Sequence, residues 1–162
     1  MTWCLVGSEM CIRDRHHRDN TIDKWFLETL GVWVSTLNKC EYCVEHHFAG
    51  LKRLLNDDEK ATQIRSAIYT NKIEEAPLEN CQKTAMEYAR KLTHNPGSIR
   101  EESIEKLRAD GYTDGEILEI NQVCAYFSYA NRTVLGLGCS TKGDILGLSP
   151  NNNDDPNDWG HS

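Results

Sequence analysis

The sequence predicts an all-α fold, a single-domain bundle of about six helices, on three observations. Apolar residues recur at intervals of three and four through successive segments, which places them on one side of a 3.6-residue helix. Alternating apolar and polar runs of the strand type are nearly absent. Proline, glycine and asparagine punctuate the segments, and capping residues stand at several of their starts.

Residues 1–20 have no clean periodicity, carry the run Arg13-Asp14-Arg15-His16-His17-Arg18, and read as an irregular lead-in. A first helix is expected over 22–37, where Ile22, Trp25, Phe26, Leu30, Trp33 and Leu37 keep the helical period. Leu27, Val32 and Val34 extend apolar character around most of its circumference, so burial on several sides is expected. Trp25, Phe26 and Trp33 fit a core or an interface equally. Asn38 then offers an N-cap, with Glu41 as capping-box partner, for a second helix that runs to about Leu55. Cys43, Val44, His47, Phe48, Leu51 and Leu54 would share one side of it.

A third helix is expected over 58–69 on the stripe Ala61, Ile64 and Ile68. Pro77 is expected to open a fourth in its first turn, where a missing N–H costs nothing. Its stripe is Leu78, Cys81, Ala85, Ala89 and Leu92, and Asn95-Pro96-Gly97 stops it. A short fifth would start at Ser98, with Glu101 completing a capping box, and end at Gly111. The sixth and longest is capped by Thr113 and Glu116, turns Ile117, Ile120, Val123, Cys124, Phe127 and Val134 inward, and ends at Gly136 and Gly138. Turn residues take over from Cys139. The expected division is a lead-in at 1–20, a helical domain at 21–138, and a mobile Asn/Asp-rich tail at 139–162.

A chain of 162 residues makes one ordinary domain. Its net charge of −7, with Lys and Arg interleaved among Glu, argues against a nucleic-acid partner. No run approaches the roughly 18 apolar residues of a membrane span. Residues 1–15 lack the basic start and hydrophobic run of a signal peptide, so a cytoplasmic location is expected. Seven cysteines, an odd number, argue against a disulfide framework in such a chain. Cys4, Cys11, Cys81, Cys124 and Cys139 scatter singly, and Cys81 and Cys124 read as small core hydrophobes.

Cys40 and Cys43 are different, because with His47 they stand at i, i+3 and i+7. At 100° per residue these positions fall within an arc of about 60° on one helix face. At a helix start both thiols would feel the positive end of the macrodipole, which favours the nucleophilic thiolate. His47, one turn beyond Cys43, could take or return its proton. One thiolate attacks, the other resolves a sulfenic acid into a disulfide, and a base manages the protons. A structural zinc would need a second ligand pair, and no second Cys-x-x-Cys exists, so neither metal nor cofactor is assigned. His46, pointing away from the cysteines, and His16, His17, His94 and His161 read as surface residues.

The run from Asn38 through Cys40, Tyr42 and Cys43 to His46-His47 resembles the active-site helix of the AhpD-like alkylhydroperoxidases of the carboxymuconolactone decarboxylase superfamily, and more narrowly their peroxidase-related branch. That pattern is a glutamate, Cys-x-x-Cys twelve residues later, then x-x-x-His, and Glu28 stands twelve residues before Cys40. Ile120-Asn121-Gln122 through Phe127 to Asn131-Arg132, and the ending Gly143-Asp144-Ile145-Leu146-Gly147-Leu148-Ser149-Pro150, are similar to the same branch. The resemblance implies a peroxidatic Cys43, a resolving Cys40 that meets the external reductant, a proton relay through His47, and Glu28 orienting His47. From periodicity alone Glu28 reads as a partly exposed helix residue. The resemblance further implies a homo-oligomer, trimer or hexamer, a hydroperoxide substrate and a thiol reductant or disulfide reductase.

Two departures stand out. Tyr42 occupies a place between the cysteines where the best-studied members carry a histidine, and tyrosine is a poor base near neutral pH. Residues 1–15 match nothing in the family and resemble a translated sequencing adaptor. The expected function is a thiol-dependent peroxidase with no organic cofactor. A lactone decarboxylase-like lyase and a non-catalytic dithiol redox sensor are the alternatives.

Overall fold

The computed structural model describes residues 21–147, and among these the chain folds as helices α1 (Lys24–Leu37), α2 (Glu41–Leu55), α3 (Asp58–Tyr69), α4 (Asn80–His94), α5 (Glu101–Ala109) and α6 (Asp114–Leu137), with no strand. Short 3₁₀ turns at Ile73–Glu75 and Pro96–Ser98 join α3 to α4 and α4 to α5. The all-α expectation is met. No helix among the described residues is long and apolar enough to cross a membrane. The lead-in at 1–20 lies outside the described residues, with Cys4, Cys11, His16 and His17, as do residues 148–162 with His161.

A helix apolar on all sides must be surrounded, and α1 is. Every residue from Phe26 to Ser35 is buried, and α1 packs against α2, α4 and α6. Phe26 and Trp33 are therefore core residues within one chain. The Trp33 indole donates to the Met86 carbonyl at 2.9 Å and ties α1 to α4. Glu119, buried on α6, accepts the N–H groups of Thr21 and Ile22 at 3.0 and 3.2 Å. An anion there also suits the positive end of α1.

Three helix starts differ from the expectation. Asn38 is the C-cap of α1 and does not cap α2, because its side chain reaches across to α6. α4 begins at Asn80 instead of near Pro77, where a capping box between Glu79 and Gln82 supplies better hydrogen bonds than the proline start. α5 begins at Glu101 behind Arg100, because Ser98 spends its hydroxyl on the Asn95 carbonyl in the preceding 3₁₀ turn. The Thr113–Glu116 box on α6 is present as expected, and Gly138, at φ 66°, ends that helix in the left-handed conformation. Cys124 is fully buried, whereas Cys81 is half-exposed.

Candidate active site

The turn between α1 and α2 is a single tight corner. Lys39 takes a left-handed backbone (φ 58°), and the Cys40 N–H returns to the Ser35 carbonyl at 2.9 Å. Cys40 is thereby the N-cap of α2, outside its helical turns, and its carbonyl accepts the Val44 N–H. Cys43 stands one turn in. Sharing of one helix face thus holds for Cys43 and His47, while Cys40 is placed beside them by the corner.

Both thiols are enclosed, Cys40 at 0% exposure and Cys43 at 5%. Burial pushes the Cys43 thiol up to about 12, and the hydrogen bond and charge of Cys40 push the same way. A hydrogen bond from Asn131 works against them, and Cys139 adds a smaller upward push. The expectation that the helix field would favour a Cys43 thiolate is corrected here. A terminal dipole acts within one turn and is a modest effect, while taking a charge out of water is a large one. Full burial of Cys40 also differs from the expectation that it meets an external reductant directly.

Asn131 is the residue that sequence reasoning left without a role. It is fully buried on α6, accepts from Asn38 Nδ2 at 3.0 Å, and donates to Ser35 Oγ at 3.0 Å. These bonds hold the α1–α2 corner and aim the amide at Cys43. An asparagine four residues after Phe127, on the inner face of the longest helix, was the available signal.

Glu28 lies on the first half of α1 and is 3% exposed, so the partly exposed reading is corrected. His47 donates its Nδ1–H to Glu28 Oε2 at 2.7 Å. A carboxylate only accepts, so this bond places the proton on Nδ1 and leaves Nε2 as the basic atom of the neutral ring. The Phe127 ring and the imidazole meet in a T-shaped arrangement at a centroid distance of 4.5 Å. Two glycines make these approaches possible. A Cβ on Gly50 would stand 3.2 Å from Glu28 Oε2, and one on Gly31 would stand 2.4 Å from the Phe127 ring.

The other side of α2 carries Tyr42 and His46, which stack at 4.6 Å. His46 Nε2 lies 3.3 Å from the Asp144 carboxylate. Burial and a hydrogen bond to the same carboxylate raise the Tyr42 phenol above its ordinary value. Asp144 belongs to the irregular segment 139–147 that follows α6. Its far end packs Gly147 onto Ala49 and Gly50, and Arg53 donates to the Gly147 carbonyl at 2.7 Å. The segment therefore runs as a strap along α2. His94 sits exposed in the last turn of α4. Among the described residues no cluster of three or more His, Cys, Asp or Glu is arranged to hold a metal ion.

No protein-family model and no curated protein matches the sequence. Solved structures do. An uncharacterized peroxidase-related protein from Silicibacter sp. superposes with a TM-score of 0.73 at 27% identity, over 84% of this chain and 69% of that one. A second, from Ralstonia eutropha, is described as an alkylhydroperoxidase AhpD core and an uncharacterized peroxidase-related protein. It superposes with a TM-score of 0.69 at 24% identity, over 88% of this chain and 68% of that one.

Proposed function

We propose that this chain, which has the AhpD-like fold, is a thiol-dependent peroxidase working through the Cys40–Cys43 dithiol. The observation that carries the reading is the Glu28–His47 pair, closed at 2.7 Å one helical turn beyond Cys43. A thiol that burial pushes up to about 12 needs a nearby acceptor to give up its proton at neutral pH. His47, four residues further along α2, offers Nε2 as that acceptor, and Glu28 offsets the positive charge the ring acquires. The Asn131 hydrogen bond stabilises the sulfur anion as it forms.

In the proposed cycle Cys43 Sγ loses its proton to His47 and attacks the terminal oxygen of a hydroperoxide. The O–O bond breaks, Cys43 becomes a sulfenic acid, and the alcohol leaves with the proton held by His47. Cys40 Sγ, as thiolate, then attacks Cys43 Sγ and the hydroxyl leaves as water, taking up the Cys40 proton. A thiol reductant returns two electrons and two protons. Assembly into a homo-oligomer is part of the proposal, supported by Tyr129, Leu135, Leu137 and Ile145, which stay exposed along the end of α6 and the strap.

The test is consumption of an organic hydroperoxide by the purified chain with a thiol reductant in excess. Turnover that disappears in Cys43→Ser supports the peroxidase. No consumption by the wild-type chain, with a reversible Cys40–Cys43 disulfide formed by a thiol oxidant, would favour a non-catalytic dithiol switch instead, a reading that the enclosure of both sulfurs supports.

A further inference from the structure

Gly50 is a thin place in α2. The space of its Cβ is taken by the Glu28 carboxylate, whose Oε2 and Cδ would lie 3.2 and 3.3 Å from a methyl there. A side chain at position 50 therefore cannot cover Glu28, and the α2 backbone itself stands against the carboxylate. Gly50 is nevertheless buried. Gly147 of the strap lies against the same residue. A Cβ on Gly147 would stand 3.2 Å from Gly50 N and 2.8 Å from Ala49 Cβ, and the backbone there is left-handed at φ 75°. Glycine is thus required at position 147 on two grounds, contact and conformation. Two polar contacts hold the strap down. Arg53 Nη1 donates to the Gly147 carbonyl at 2.7 Å, and His46 Nε2 lies 3.3 Å from Asp144 Oδ2. Strap and carboxylate meet the same glycine, each in the space a side chain would have filled.

We propose that the strap is a working part of the site. Seated on Gly50, it keeps water from the Glu28–His47 pair, and Gly147 is the positioning residue on which that seating depends. Its role in the proton relay rests on the peroxidase reading above, whereas the shielding does not. The pair is uneven, because the His47 side chain is 25% exposed and that of Glu28 only 4%. Water admitted beside Gly50 would solvate the Glu28 carboxylate and compete for the His47 Nδ1–H that it accepts at 2.7 Å. It would also weaken the attraction between carboxylate and imidazolium, which falls as the local dielectric rises. Nε2 would then no longer be held in one orientation as the basic atom. The strap can lift without unfolding the bundle. It has no helical ladder, and its internal backbone bond is a turn from the Asp144 N–H to the Thr141 carbonyl.

The experiment measures solvent exchange of the His47 Nδ1–H proton by NMR, on the reduced, ¹⁵N-labelled full chain without any hydroperoxide. The signal is identified by its loss in His47→Gln. The Trp33 indole N–H, bonded to the Met86 carbonyl in the core, is the internal reference for opening of the whole fold. In the wild type the His47 proton is expected to exchange slowly enough to be seen. Gly147→Ala is expected to speed its exchange about tenfold or more and leave the Trp33 proton at its wild-type rate. Arg53→Met, which keeps the stem and removes the donor to Gly147, is expected to act in the same direction. An unchanged His47 rate in both variants would overturn the proposal. So would a wild-type proton that already exchanges too fast to be seen, or a Trp33 proton sped by the same factor as His47. Because no hydroperoxide is present, these outcomes are read independently of whether the chain is a peroxidase.

Discussion

Cys43 and Cys124 are two buried thiols whose burial pushes both up to about 12. Cys124 sits on the inner face of α6 within the apolar core, and burial is the cause of its shift. Cys43 stands at the α1–α2 corner with Cys40 and Asn131 against it and His47 one turn away. The same desolvation makes the first thiol inert and leaves the second conditional on its neighbours. In the proposed peroxidase, reactivity at Cys43 comes from the polar groups around the sulfur and not from its place on a helix start.

Substitution separates the two thiols most sharply. Cys43→Ser is expected to lower the rate of hydroperoxide-dependent thiol loss by at least about a thousandfold, whereas Cys124→Ala keeps it, both read by stopped-flow. His47→Gln is expected to cost about a hundredfold, since it removes the base and leaves a side chain of similar reach. Glu28→Gln should cost about tenfold, because an amide oxygen still accepts from His47 Nδ1 but carries no charge to balance the imidazolium. A Glu28→Gln rate equal to the wild type would remove the carboxylate from the mechanism.

A smaller effect is expected on stability. Gly31→Ala forces a methyl to 2.4 Å from the Phe127 ring and should destabilise the fold by about 1–3 kcal/mol in urea unfolding. Through Phe127 it also disturbs the packing of the His47 ring.

Cys43 and Cys124 also share a dependence on pH. Both hold their protons in the folded state up to about 12, while the unfolded chain releases them near the ordinary value of 9.0. Stability that is fully present below 9.0 is therefore lost as pH rises toward 12. Cys124→Ala should flatten the fall in Tm across that window, and an unchanged slope would contradict the burial assignment.

The helices were legible because four of the six bury a regular stripe, and α3 falls on the bounds its stripe predicts. Starts were less so, since Asn38 and Ser98 carry cap chemistry but bond elsewhere in the fold. The cysteine pair and His47 were legible from spacing, and Glu28 only from resemblance. On a helix buried all round, periodicity cannot tell an inward carboxylate from an outward one. Asn131 and the strap were not read as parts of the site, because their contacts join residues more than ninety positions apart. Nor did spacing reveal that Cys40 precedes the helix, which depends on the left-handed Lys39 corner.

The most direct measurement is an anaerobic reaction of the fully reduced chain with a single equivalent of an organic hydroperoxide, quenched by alkylation and mapped by peptide mass. The proposed mechanism predicts rapid loss of two thiols, a disulfide between Cys40 and Cys43, and Cys124 recovered as the alkylated thiol after unfolding. Thiols that stay reduced for minutes, or oxidation that falls on Cys124 as readily as on Cys43, would contradict it.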